Sequence, residues 1–527
     1  MFVRTLLAFL LVAGSSTAGA QTEWQRQTVT SDGPSSVSVT VYRNPSRQAD
    51  QTMNLNYLGG YALVTEQRTI DLPAGEVDLR FEGVAGGIIP QSAIVTGLPD
   101  GVIEKNRDAA LLSPSALLNG YLGRGVTIRR TSVATGVTRE FDANIRTDAS
   151  GGMVLQTAEG FEALQCTGLN ETIVYPAIPE GLSAKPTLSI KSRIIAPTRA
   201  TVTLSYLATG FDWQANYVAN VSADGRNLNL FSWVTLANSD ETSFVNAQTQ
   251  TVAGQPNKGR DNIAPASGSS IAFRCWPQAT TSDIQLRNRA ALGRLSSFRT
   301  DEQDMITVTA SRRNEGMMEM AAPVSVMKAK QEELGDLKLY RIPEPVTVAS
   351  KSQKQVVMFE KSSVPFEQIY EADLWAFNSV DQSTPLATTL RLQNKKRDGL
   401  GLALPAGKLV AFKEAQGAQL LLGEGSLGDK AIGEEVDVTI GTSPLVRYTL
   451  KVVNDVDEES RSYADMELRI TNASLQSASV EIMIGRNDRE RLTKVSSKLG
   501  RKAGKDFWKV SVPASGERVL KYRLKRR

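Results

Sequence analysis

The amino-acid sequence predicts a mostly β protein, built of antiparallel β-sandwich-like domains with one long, partly disordered insertion. Three observations predict it: apolar residues recur at every second position, turn residues separate those runs, and helix signals are sparse. At 527 residues the chain exceeds the size at which one hydrophobic core keeps growing, so roughly two to four domains are expected.

The alternation is clearest in Ser36-Val37-Ser38-Val39-Thr40-Val41-Tyr42, Glu76-Val77-Asp78-Leu79-Arg80-Phe81, Thr201-Val202-Thr203-Leu204-Ser205-Tyr206 and Val436-Asp437-Val438-Thr439-Ile440. Each run places its apolar groups on one face, the pattern of a sheet that is wet on the other. Leu72-Pro73-Ala74-Gly75 and Ala223-Asp224-Gly225 supply turns between such runs, which points to sandwiches of antiparallel strands. Two helices are expected. Ser113 is a capping residue followed by Pro114 at the first helical position, opening a short helix through Tyr121; a second covers Val326 to Leu334.

Taken in order, residues 1–20 read as a cleavable leader. Arg4 precedes an apolar run from Leu6 to Ala13, and Ala18-Gly19-Ala20 sets cleavage before Gln21. The mature chain is therefore expected in the periplasm or associated with the outer envelope. No cysteine follows the cleavage site, so a lipid anchor is not indicated. Beyond the leader no apolar run approaches the roughly twenty residues that span a bilayer as a helix, so no transmembrane segment is expected. A membrane barrel would need lipid-facing bands on nearly every strand. The last strand, Glu517 to Arg527, ends Lys-Tyr-Arg-Leu-Lys-Arg-Arg, and its cations read as solvated.

Residues 21–195 are expected to form an N-terminal β-rich domain. From Gly254 the alternation fades into Gly, Pro, Ser, Asn and charged residues, read as a flexible insertion over 254–339. It divides a second β domain into 196–253 and 340–527.

Charge is nearly balanced, with 60 basic and 56 acidic residues, which gives no case for nucleic acid. The chain has no histidine, which removes the usual general base, the commonest zinc ligand and the usual partner of a nucleophilic serine or cysteine. Ser-His-Asp triads and His-Glu-x-x-His metal sites are thereby excluded. No catalytic, cofactor-binding or metal-ligating residue is assigned.

Local motifs are weak. Gly423-Glu424-Gly425-Ser426-Leu427-Gly428 satisfies the string that cradles a pyrophosphate, but no helix follows, so its glycines are expected in tight turns. Ser325-Val326-Met327-Lys328 matches a Ser-x-x-Lys pair without its companion motifs. Asp455, Asp457, Glu458 and Glu459 lack the glycine and distal glutamate of a calcium loop and read as a solvated turn. Cys166 and Cys275 are the only cysteines; an exported chain permits a disulfide between them. Closing a loop of that size contributes about 4–5 kcal/mol in the chain-entropy model.

Gly210-Phe211-Asp212-Trp213-Gln214-Ala215-Asn216-Tyr217-Val218-Ala219, followed by Phe231-Ser232-Trp233-Val234-Thr235-Leu236-Ala237-Asn238 and Val252-Ala253-Gly254, resembles a bacterial family of exported proteins with a domain of unknown function, the mucoidy-inhibitor-A-like proteins. Gly60-Tyr61-Ala62-Leu63-Val64, Leu72-Pro73-Ala74-Gly75, Lys185-Pro186-Thr187-Leu188 and Leu400-Gly401-Leu402-Ala403-Leu404-Pro405-Ala406-Gly407 extend the likeness over most of the mature chain apart from the insertion. The resemblance implies no activity and no catalytic residues. Relatives often carry a coiled coil after their first domain, and no heptad run is present here. Read from the residues alone, Trp213, Tyr217 and Trp233 anchor a core. The alternative is a sugar-stacking platform, which needs several rings exposed on one face.

Asp304-Met305-Ile306-Thr307-Val308-Thr309-Ala310-Ser311-Arg312-Arg313-Asn314-Glu315 is similar to the TonB box of TonB-dependent outer-membrane receptors. Ile306, Thr307, Val308, Thr309 and Ala310 are the candidate partner-binding residues. Such a β-branched stretch adds itself as a strand to the sheet edge of a TonB-type transducer, or pairs within its own protein.

Together these readings give an envelope protein with a non-enzymatic structural or protein-interaction role. The alternative is a carbohydrate-binding or histidine-independent glycan-active protein that contacts envelope glycan, since carboxylate pairs for glycoside cleavage leave no spacing in sequence. Exposed coplanar rings beside carboxylates would favour that alternative, and buried rings would weaken it.

Overall fold

The computed structural model describes residues 27–259 and 328–526, apart from positions 32, 109–110, 132–134, 147–152, 165–169, 180–181, 255, 258, 416–417 and 459–460. The chain is mostly β, and its strands fall where the alternation predicts them. In Gly60–Leu72 nearly every second residue is buried, and Gly75–Glu82 alternates without a break.

The N-terminal sandwich packs two sheets face to face. One holds Gln27–Ser31, Gly75–Glu82, Thr187–Ile194 and Glu104–Asp108 in the order first, second, third, fourth. Its inward residues Leu79, Phe81, Leu188 and Ile190 meet Val64, Val202 and Leu204 from Gly60–Leu72 and Thr198–Val221 in the largest core. Full burial of each such side chain contributes about 1.5–3 kcal/mol. That core continues through Val234, Tyr340 and Leu409 to Ile440, so it runs across residue 196 and across the described ends of the insertion.

A buried ion pair, Glu66 with Arg68, interrupts this apolar interior. Glu66 and Arg68, two residues apart on one strand and hence on one face, are both almost fully buried. Arg68 donates to Glu66 Oε2 through Nε at 3.0 Å and Nη2 at 2.6 Å, while the Tyr206 hydroxyl donates to Glu66 Oε1 at 2.7 Å. Arg68 Nη1 also reaches the Glu82 carbonyl at 2.9 Å. The pair is thus held by donors and acceptors from three strands, the condition under which a buried charge is tolerated.

Between Glu104–Asp108 and Thr187–Ile194 the chain builds a small satellite. Five antiparallel strands, from Gly125–Thr131 to Asn170–Val174, pack under one helix. That helix is Pro114–Gly120, with the Ala116 N–H donated to the Ser113 hydroxyl at 3.2 Å, as the capping signal requires. Leu118 and Tyr121 enter the satellite core.

Three strands of 24 residues, Thr198–Val221, Ser352–Trp375 and Glu435–Glu458, tie the sandwiches together by changing partners along their length. Thr198–Val221 pairs first with Gly60–Leu72. At Gly210, where φ is +87°, the register shifts, and the second half pairs with Asn227–Asn238 and in parallel with Gly407–Ala415. Glycine suits that bend because a side chain at positive φ is strained. Ser352–Trp375 leaves Asn227–Asn238 for Val380–Gln393 and Ala478–Gly485, and so enters the C-terminal sandwich. There Leu374, Leu468, Ile482, Trp508 and Leu520 form a separate core.

The structure corrects three expectations. The segment expected to be a helix over Val326 to Leu334 contains the strand Lys330–Leu334, paired antiparallel with Leu337–Arg341; this hairpin, turned at Gly335-Asp336, overrides the local helix-forming lysine and glutamates. Gly423 and Gly425 sit inside the strand Ala418–Leu427 rather than in turns. Asp455, Asp457 and Glu458 lie on the strand Glu435–Glu458, opposite Ala464, Ser462 and Arg461, rather than in a turn. In the last strand, Gly516–Arg526, Leu520, Tyr522 and Leu524 are buried while Lys521 and Lys525 face solvent. Among the described residues no helix is long and apolar enough to cross a membrane.

Candidate interaction surface

Asp212, Trp213 and Tyr217, from one of the quoted motifs, come together with Leu404 to Gly407, from another, where the strand Thr198–Val221 passes that segment. Asp212, almost fully buried, accepts the main-chain N–H of Asn44 at 3.0 Å and of Trp213 at 2.8 Å, and the Arg47 guanidinium at 3.1 Å. Burial pushes its carboxyl up, and it outweighs the lowering by Arg47 and the two N–H donors. The Tyr217 hydroxyl donates to the Pro405 carbonyl at 2.7 Å and the Tyr340 hydroxyl to the Ala403 carbonyl at 2.9 Å. Arg43 grips Asp429 with two parallel bonds of 3.0 and 2.6 Å, and Asp429 also accepts the Ala406 N–H at 2.8 Å. Gly407 is required for this approach, since a Cβ there would lie 2.1 Å from the Ala215 carbonyl oxygen. Every one of these groups is engaged in holding strands together.

The rings follow the same logic. Trp213 and Tyr217 are inside, and the Trp213 Nε1–H is donated to the Val252 carbonyl at 3.0 Å. Trp233 is half-buried and packs edge-on against Phe231 at 4.7 Å. Trp213 and Tyr217 are core anchors, whereas Trp233 lies with Phe231 on the other face of its strand, outside the core.

The braced segment continues as a hairpin, Gly407–Ala415 and Ala418–Leu427. Its base is fixed on one side by parallel pairing with Ala215 to Val221. Near that base the second strand crosses another closely. A Cβ at Gly423 would lie 1.8 Å from the Ile440 carbonyl oxygen and one at Gly425 2.3 Å from that of Thr439. These glycines therefore allow backbone to pass backbone. Beyond the crossing the strand runs free. Among the described residues, Ala418–Leu422 pairs only with its hairpin partner, Phe412 opposite Leu421 and Lys413 opposite Leu420, with a register shift between Ala411 and Phe412.

This free edge is apolar. Leu420, Leu421 and Leu422 are 54%, 58% and 42% exposed, and no charged residue occurs from 415 to 423. Soluble proteins ordinarily blunt such an edge with charge or proline. Beside it lies an open, polar groove of about 620 Å³, lined by Asn220, Ser222, Asp224, Asn229, Glu414 and Gln419. Gln419 Nε2 reaches Asn220 Oδ1 at 3.4 Å, so the hairpin leans on the Ser222–Asn227 turn.

Cys166, Cys275 and the segment Ile306, Thr307, Val308, Thr309 and Ala310 lie outside the described residues, as do Ser325, Met327 and Glu459. Lys328 is described, and it bridges to Val357 and pairs with Glu360 at 3.6 Å. Among the described residues no three potential ligands come together as a metal site. Leu420-Leu421-Leu422 is not among the candidates read from sequence, although three successive leucines in an uncharged stretch carry the signal of an exposed apolar run.

No protein-family model matches the chain, and no curated protein matches it.

Proposed function

We propose that this chain is an exported protein of the bacterial envelope, of the mucoidy-inhibitor-A-like kind, that works by protein–protein contact rather than by catalysis. The observation that carries this reading is the free, uncharged strand edge Ala418–Leu422 with its three exposed leucines. Such an edge offers unpaired main-chain donors and acceptors together with apolar side chains, which is what strand addition uses. The export half of the reading rests on the leader pattern of Arg4, Leu6 to Ala13 and Ala18 to Ala20, and the family half on the motifs alone. The engagement of Asp212 and Tyr217, both within the quoted motifs, in bracing supports a scaffold role for them.

The test is photo-crosslinking in cells, with a benzophenone amino acid in place of Leu421 and, as control, of Val453, which is 66% exposed. A protein adduct at Leu421 and none at Val453, in a periplasmic fraction whose protein begins at Gln21, is the expected result. Adducts at neither position, or a cytosolic protein that retains Met1, would overturn it.

A further inference from the structure

We propose that the occupant of this edge is a second copy of the same chain, paired antiparallel through Ala418–Leu422 about a two-fold axis at Leu420. The inference rests on the interaction reading above and names its partner. An isologous contact places each residue against a defined mate: Leu420 meets Leu420, Gln419 meets Leu421, and Ala418 meets Leu422.

Two features favour a copy over a foreign strand. The first is charge. An edge that carried a lysine or glutamate would bring like charges close together in self-pairing, a destabilising arrangement. Here the span from 415 to 423 has none, and the nearest acid on the strand, Glu424, falls outside the paired residues. The second is size. The small Ala418 stands where the other copy's Leu422 arrives, so two-fold pairing sets large against small at both ends of the ladder, with leucine against leucine at its centre.

The paired length is self-limiting. The register shift between Ala411 and Phe412, and the crossing of Gly423 over Ile440, end the free edge at Leu422. Growth into a longer sheet along this edge is blocked, because each copy closes its five-residue edge with that of the other. Six leucines, three from each copy, and two short backbones bury less than the roughly 1,200 Å² of a standard stable interface. The dimer is therefore weak and reversible, with a dissociation constant between about 1 µM and 1 mM.

The experiment uses the full mature chain. Sedimentation from about 5 to 500 µM should shift from monomer toward dimer, and Leu421→Lys, at a solvent-facing position, should remain monomeric while melting at the same temperature as wild type. A second arm places the axis. In a background with Cys166→Ser and Cys275→Ser, Leu420→Cys should form an intermolecular disulfide on mild oxidation, because directly opposed strand residues stand about 4.5–5.5 Å apart, whereas Val453→Cys should not. A wild-type chain that stays monomeric throughout and a Leu420→Cys variant that never cross-links would overturn the proposal. So would a dimer that survives Leu421→Lys, which would assign dimerisation to another surface. The mass of the in-cell adduct at Leu421 separates the two readings: twice the chain mass supports the second copy, another protein overturns it and leaves the interaction reading standing, and no adduct overturns both.

Discussion

The Tyr217 hydroxyl donates to the Pro405 carbonyl at 2.7 Å, joining two segments 188 residues apart inside the largest core. The bond anchors the segment that launches the free hairpin. Replacing Tyr217 with phenylalanine keeps the ring and leaves the buried carbonyl without its donor, a loss of about 1–3 kcal/mol. Chemical denaturation should show the lowered midpoint with an unchanged slope. A variant as stable as wild type would show that the bond contributes nothing net.

The Glu66–Arg68 pair gives a sharper contrast. Glu66→Ala leaves the Arg68 guanidinium buried without its carboxylate, and about 3–5 kcal/mol of stability should be lost. The double replacement of Glu66 by leucine and Arg68 by methionine removes both charges and should recover most of that loss. Thermal melts of the single and double variants decide it. Equal damage from both would mean that hydrogen bonds to Ser31 and Glu82, rather than the charge, dominate.

Asp212 sets a dependence on acidity. Its carboxyl is raised above the ordinary value of 3.8 by burial, so the folded chain holds that proton more readily than the unfolded chain does. Stability from this group is greatest below the unfolded value and declines as pH rises through the raised folded value, where the buried carboxylate must ionise. Asp212→Asn should remove that component. Denaturation profiles from about pH 3 to 7, wild type against variant, should differ in slope on the acid side of neutrality. Parallel profiles would refute the assignment.

Gly423→Ala tests the crossing of strands. A methyl group there would lie 1.8 Å from the Ile440 carbonyl oxygen, in a backbone with φ of +155°. The strands must separate to admit it, at a cost of more than about 1 kcal/mol. Gly428→Ala, which meets nothing within 4 Å, is the matched control. Hydrogen exchange at Thr439 to Gly441 should quicken in the first variant and not in the second. Unchanged exchange in both would count against a close crossing.

The β class and the capped helix at Ser113 are legible in the chain, because each depends on residues within a turn or two of one another, and Trp213 and Tyr217 read as core from their ring type on half-buried strands. Period-two alternation places Leu79 and Phe81 on the same face whatever they pack against, and Ser113 caps through its own neighbour Ala116. Lys330–Leu334 carries no legible strand signal, because Lys-Gln-Glu-Glu-Leu has no apolar period to choose between helix and strand, and its ladder with Leu337–Arg341 decides. The glycines at 423 and 425 looked like turns because what they avoid, the Ile440 and Thr439 carbonyls, comes from a neighbouring strand. Only the tertiary structure could assign the free edge. An edge is the strand left over after every other pairing is made, and here those pairings join Ala215 to Gly407 and Asp429 to Arg43 across the length of the chain. Local periodicity determines which residues form strands; long-range register determines which strand edges are left unpaired.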